Sequence, residues 1–268
     1  MANKVYSDFA DVSPLDGNEI IPCIDDPSGT PANGRFTPAD LATYLGTGTS
    51  ITGMVLTWDA VDGITVGTGQ CYTEGGDNIS ASSAIAKTSL SLSTSTWYHV
   101  YVYLSGGSPA AEVVTTAPAA WTGTAYSKTG DTSRRYVGSV LTDGSGNIIP
   151  FEHYANKIIY KLYQVNGAPH NVLAAGTSTT AVALDLTGVV PATSRLAIVQ
   201  INNSSDKTAY TSENSSVATG QKTGFARAGA VIVIEHAMDA SQQIFYAISS
   251  AVGSGSLEVN VMGYIFDR

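Results

Sequence analysis

From Gly53 to the last residue, apolar and polar positions alternate with a period close to two, and clusters of Gly, Ser, Thr, Asn and Pro interrupt them about every ten residues. Side chains on a strand point to alternate faces, so this pattern predicts strands and turns rather than helices. Met54 to Trp58, Ile64 to Val66, Trp97 to Leu104, Ala111 to Thr115, Arg135 to Thr142 and Lys157 to Val165 read as strands of a first domain. Ala181 to Leu186, Arg195 to Asn202, Lys207 to Ser212, Ala228 to Glu235, Gln243 to Ser249 and Leu257 to Phe266 read as strands of a second. Between them, Val165 to Thr180 is rich in Gly, Ala, Ser and Thr and has little periodicity. The expected fold is therefore all-β: two antiparallel β-sandwich or jelly-roll-like domains, 53–166 and 181–268, joined by a linker at 167–180. Asp143-Gly144-Ser145-Gly146-Asn147 is a hairpin signal, because Gly and Asn accept the positive φ of tight turns.

Residues 1–52 follow a different pattern. Ile20-Ile21-Pro22-Cys23-Ile24 is too short for a helix, and its interior proline marks an edge strand or extended arm. A turn follows at Asp25 to Gly29. Thr37-Pro38-Ala39-Asp40 then supplies an N-cap hydroxyl, a proline at the first helical position and a carboxylate near the positive helix end. A helix of about eight residues is expected, stopped by Gly46. Such a strand-turn-helix unit cannot bury a core of its own, so it is expected to dock on something larger. Ile20, Ile21 and Ile24 on the strand and Leu41, Tyr44 and Leu45 on the helix are its candidate attachment residues.

Two strands carry candidate contact surfaces. Trp97, His99, Tyr101 and Tyr103 alternate with Tyr98, Val100, Val102 and Leu104, so one face is aliphatic and one aromatic. With the aliphatic face in the core, Trp97, Tyr101 and Tyr103 form either a stacking platform for sugars or a subunit contact. The contact is preferred, because large aromatic patches left in water mediate association. Val231, Ile232, Val233 and Ile234 are apolar on both faces, which predicts a strand covered on both sides, by loops or by another subunit.

Composition narrows the function. Only 13 % of residues are charged, against about 25 % in ordinary soluble proteins, while 43 % are apolar. A hydroxyl-rich, weakly charged surface favours a structural β protein that spends area on subunit contacts. The net charge of −9 repels phosphate backbones, and Arg134-Arg135 is the only basic doublet, so no nucleic-acid partner is expected. No apolar run reaches the ~18 residues that span a bilayer, and the first residues contain no apolar signal segment. Synthesis in a cytoplasm without membrane insertion is the expectation. Cys23 and Cys71 have no metal or redox spacing and read as buried thiols.

Candidate chemistry is sparse. His99, His153, His170 and His236 lie outside metal-ligand spacing of one another and of the cysteines. Glu152-His153 and Glu235-His236 are strand neighbours and so face opposite ways. No Gly-x-Ser-x-Gly elbow occurs, and Asp143 to Asn147 and Glu74 to Asn78 lack the twelfth-position Glu of an EF-hand loop. No catalytic, metal or cofactor residue is assigned, and the chain is not expected to be an enzyme.

A resemblance adds to this reading. The Leu15-Asp16-Gly17-Asn18-Glu19 strand start followed by Thr37-Pro38-Ala39-Asp40-Leu41-Ala42 resembles the amino-terminal region of fibre and head-fibre proteins of tailed bacteriophages. Arg135-Tyr136-Val137-Gly138, the Asp143 turn and Ile148-Ile149-Pro150-Phe151 are similar to a recurrent segment of phage fibre domains, and Met262-Gly263-Tyr264 looks like the last strand of such modules. Together these segments cover about a quarter of the chain. The resemblance implies a virion structural protein, made in the host cytoplasm, that attaches to head, neck or tail through its N-terminus and projects homo-oligomeric, trimeric β domains. The alternatives it leaves open are a receptor-binding module for a host cell-surface glycan and a capsid decoration protein.

Overall fold

A computed structural model describes residues 21–24, 33–36, 49–161, 170–220 and 222–268, the first two segments by their backbone. The chain divides into two compact units, Met1–Ser50 and Ile51–Arg268. In the first, β1 (Ile21–Ile24) pairs antiparallel with β2 (Asn33–Phe36), placing Ile21 opposite Phe36 and Ile24 opposite Asn33. β1 lies where the short apolar run predicts a strand, whereas Asn-Gly-Arg-Phe carries no alternation from which β2 could be read. The expected helix and the attachment residues Ile20, Leu41, Tyr44 and Leu45 lie outside the described residues.

The second unit is all-β. β3 (Ile51–Gly53), β4 (Leu56–Ala60), β5 (Gly63–Val66), β6 (Gly69–Tyr72), β7 (Asn78–Ala81) and β8 (Ile85–Lys87) form two three-stranded sheets, ordered β3-β6-β7 and β4-β5-β8. β9 (Trp97–Ser105), β10 (Ser108–Val114), β11 (Pro118–Thr122), β12 (Ala125–Lys128) and β13 (Asp131–Leu141) form a five-stranded sheet, β10-β9-β13-β12-β11. A six-stranded sheet contains β14 (Phe151–Tyr154), β15 (Lys157–Tyr160), β16 (Asn171–Gly176), β18 (Ser194–Asn203), β21 (Val231–Ala237) and β23 (Leu257–Phe266). Its order is β14-β15-β23-β18-β21, with β16 also on β23. β17 (Val182–Asp185), β19 (Ala209–Ser212), β20 (Gly224–Ala226) and β22 (Gln243–Ile248) form a four-stranded sheet, β17-β22-β19-β20. All these pairings are antiparallel, and the described residues contain no α-helix; a short 3-10 turn lies at Ser215–Ala218.

The expected division into two β domains gives way to a single body. β23 pairs through Lys157 to Ile159 with β15 of the expected first half and along its length with β18 of the second. Residues 171–176, expected as linker, are β16 on the same strand. Ten residues of β23 thus offer ladder partners to three strands, and backbone groups of a buried strand must be paired somewhere. At Gly263 the approach is close: a Cβ there would lie 2.1 Å from the Ile158 carbonyl oxygen, so the β15–β23 ladder closes only with glycine at that position.

A single apolar cluster runs from Met54 to Phe266. Where the five-stranded sheet meets the six-stranded sheet, it is aromatic. Tyr136 lies 5.9 Å from Tyr101 and 6.1 Å from Phe266, and Tyr264 lies 5.6 Å from Phe266 and 6.0 Å from Trp97, with rings tilted or edge-on. The tyrosine hydroxyls buried here have partners. The Tyr136 Oη shares hydrogen bonds with Ser139 Oγ (2.8 Å) and Thr193 Oγ1 (2.9 Å), Tyr264 Oη donates to the Ser139 carbonyl (2.9 Å), and Tyr160 Oη donates to the Val189 carbonyl (2.7 Å). Arg268 closes the unit by donating to the carbonyls of Met54 and Gly53, both at 3.1 Å.

Replacing Tyr136 by Phe removes one hydroxyl from this junction and leaves the buried Thr193 Oγ1 without its partner. The expected loss is about 1–3 kcal/mol of unfolding free energy. Tyr154→Phe, at an exposed ring, is expected to change stability by no more than ~0.5 kcal/mol. Urea midpoints at unchanged slope check both, and equal midpoints for the two variants would contradict the assignment.

Candidate functional site

The strand that sequence offered as a contact surface is largely inside the molecule. Tyr101 is fully buried, its Oη donating to the Thr116 carbonyl at 2.7 Å, so it presents no surface to a sugar or a subunit. Trp97 is half-buried, packs edge-on against Tyr264, and donates its Nε1 hydrogen to the Thr187 carbonyl at 3.0 Å. Tyr103 is half-buried beneath the Arg134 guanidinium, 3.7 Å from the ring centroid. Residues Tyr98 to Val102 are buried in unbroken succession. The alternation of faces is as the sequence predicts, but both faces are covered, and the aromatic one is the junction with β13 and β23. The platform reading of Trp97, Tyr101 and Tyr103 is corrected accordingly.

The second candidate surface behaves differently. Ile232 and Ile234 pack against the core, while Val231 and Val233 point outward and are 59 % and 56 % exposed. The strand is covered on one face only. β21 is a terminal strand of its sheet, paired continuously with β18 from Leu196–Ala237 to Asn202–Val231. Beside it on the outward face, Asn202 and Glu258 are joined by a hydrogen bond of 3.3 Å, and Glu258 also accepts from Asn171 and Asn260. Lys157 pairs with Glu235 across the same face. In register terms the face presents Val231, Val233, Gln200 and Asn202, uncharged side chains bordered by satisfied carboxylates.

The polar groups with chemical potential are structural. All four histidines are buried. His99 Nδ1 lies 2.8 Å from Ser139 Oγ, the contact of a nucleophile–base pair that no sequence spacing announces, yet Ser139 is 1 % exposed and already bound to Tyr136. His153 Nδ1 accepts the Leu56 backbone N–H (2.8 Å) and its Nε2 lies 2.9 Å from the Ala155 carbonyl, so the imidazole bridges β4 to β14 with both nitrogens used. Glu152 and Glu235 face away from their histidine neighbours and pair with Lys161 and Lys157. Asp143 Oδ1 accepts the N–H groups of Ser145 and Asn147, which commits that carboxylate to its turn. Among the described residues, no three His, Cys, Asp or Glu side chains converge as metal ligands. Arg134 pairs with Glu112 and Asp131, and Arg135 is fully buried with its guanidinium 5.5 Å from the Trp121 ring. Burial pushes the Cys71 thiol up to about 12, leaving it inert as a nucleophile.

No protein-family model matches the chain, and no curated protein matches it significantly.

Burial brings His153 down to about 3, with the charge of Arg268 acting in the same direction, and brings His99 and His170 down to about 4. The unfolded chain holds protons on these imidazoles below about pH 6.5, whereas the folded chain does not. Their contribution is therefore complete above about 6.5 and is lost as pH falls toward 4, at up to ~1.4 kcal/mol per pH unit for each histidine. Urea midpoints are expected to fall from pH 7 to about 5, above the carboxylate range, as the proton uptake on unfolding rises toward about three, with His236, which burial also lowers, adding in the same direction. A flat profile there would show that the imidazoles are not held neutral.

Proposed function

We propose that the protein is a structural virion component of a tailed bacteriophage, a fibre or appendage protein that docks on the particle through residues 1–52 and projects its β body. The observation that carries this reading is the division of the chain into a small unit, Met1–Ser50, and a large all-β unit, Ile51–Arg268. In the larger unit the four histidines are buried, and the His99–Ser139 contact, the His153 ring and the turn carboxylate of Asp143 are engaged within the fold. Its residues support a role in holding shape and making contacts rather than in catalysis. The low charged fraction fits the same role.

We infer further that the six- and four-stranded sheets stack as a β-sandwich. A Cβ at Gly176 of β16 would lie 2.8 Å from the Tyr246 ring of β22, and one at Gly224 of β20 would lie 2.6 Å from Ile234 Cδ1 of β21. Such approaches support face-to-face packing of the two sheets, with glycine admitting the larger partner.

The test is co-sedimentation with particles of the phage that encodes the chain. Full-length protein is expected in the particle fraction at a fixed copy number. Leu41→Asp combined with Leu45→Asp is expected to remove it from that fraction while leaving the circular dichroism of the β body unchanged. Absence of the full-length protein from particles would overturn the reading. A copy number near that of the capsomers would move it from appendage to capsid decoration.

A further inference from the structure

Protein sheets protect their terminal strands, since an unpaired row of N–H and C=O groups is a template for another chain. Most terminal strands of the described sheets follow this rule. β10 and β11 contain Pro109 and Pro118, β4 and β16 pair with β5 and β23 through register shifts, and β3, β7, β8, β14, β17 and β20 have four residues or fewer. β21 is the exception. It has seven residues, begins Val-Ile-Val-Ile, contains no proline or lysine, and pairs with β18 without a bulge that would twist its edge away. Two of its valines are more than half exposed.

Resting on the structural role proposed above, we propose that β21 is a homotypic interface, where a second copy of this chain adds its own β21 antiparallel about a two-fold axis. Three observations select a second copy as the occupant. An antiparallel edge is self-complementary: the same donors and acceptors meet when the strand is rotated onto itself. Of the registers that keep the faces aligned, the one centred on Val233 pairs residues 231–235 of the two copies and places Val233 opposite its own counterpart, a β-branched cross-strand pair on the outward face. Charge also permits it. The net charge of −9 opposes association of like copies, but the only charge on β21, Glu235, is paired with Lys157, and the neighbouring outward positions on β18 are Gln200 and Asn202. The pairing joins two six-stranded sheets into one and yields an assembly of two rather than the trimer that the fibre resemblance implies.

The experiment is light scattering of the full chain across the micromolar range, with Val233→Lys and Val233→Thr. Wild type and Val233→Thr are expected at twice the 27.8 kDa monomer mass, and Val233→Lys at the monomer mass. Lysine at this exposed site places a charge on the edge, whereas threonine keeps a β-branched side chain of similar size. Hydrogen exchange of the wild type, which depends on no variant, is expected to show protection of amides in 231–237 that increases with protein concentration. A monomeric wild type, a mass of three copies, a mass unaffected by Val233→Lys, or concentration-independent exchange in 231–237 would overturn the proposal. The Leu41→Asp, Leu45→Asp protein is expected to keep the doubled mass, so a failure of particle docking is read separately from a failure of pairing.

Discussion

The body of this protein depends on a buried junction where tyrosines serve as both packing and polar links. Tyr101, Tyr136, Tyr264 and Phe266 meet where the five-stranded and six-stranded sheets come together, and each brings a large apolar surface. The tyrosine hydroxyls would cost free energy in such a place if left unpaired. Instead, Tyr136 reaches Ser139 and Thr193, and Tyr264 reaches the Ser139 carbonyl. Thr193 precedes β18, so the network runs from β13 to the connection that launches a ten-residue interior strand of the other sheet. A purely aliphatic junction would be as apolar but would fix orientation less sharply, because hydrogen bonds specify both distance and direction.

This junction explains why the molecule has one core where alternation suggests two. Period two reports which residues share a face of a strand, and nothing about which strand lies beside it. The β9, β13, β18, β22 and β23 segments were legible because each carries a long alternating run. Their partners were not. β6 is Gly-Gln-Cys-Tyr, β7 is Asn-Ile-Ser-Ala and β16 is Asn-Val-Leu-Ala-Ala-Gly; such segments become strands because a neighbour's backbone needs partners, a tertiary cause. The linker reading of residues 171–176 failed for this reason: small residues without periodicity also describe a strand passing close to another layer, as at Gly176 beneath Tyr246.

The two surface readings fared differently for a related reason. For Trp97 to Leu104, alternation separated the faces correctly, but the assumption that the aromatic face is outward required the sheet to have a wet side. β9 is central in its sheet and covered by other layers, so both faces are buried. For Val231 to Ile234 the reverse held. The apolar run implied cover on both faces, by loops or by another subunit; within one chain β21 is terminal and covered on one. Position within the sheet order decided both cases, and that order is non-local information. The candidate attachment residues raise no such comparison, since Ile21 and Ile24 are placed by backbone register alone.

The buried histidines show how the same fold limits chemistry. A catalytic imidazole needs a proton-accepting nitrogen within reach of a substrate and a proton affinity near the working pH. His99 and His153 have neither: their Nδ1 atoms are engaged by Ser139 and by the Leu56 N–H, and burial lowers both well below the ordinary range. His153 in particular acts as a connector between strand edges that form no ladder, its Nδ1 accepting from β4 while Nε2 faces the Ala155 carbonyl. With these two imidazoles engaged inside the fold, the features the body turns outward include strand edges and the exposed side chains of Val231 and Val233. Among its described terminal strands, β21 combines an unprotected edge with exposed apolar side chains, and the only charge on that strand, Glu235, is paired with Lys157.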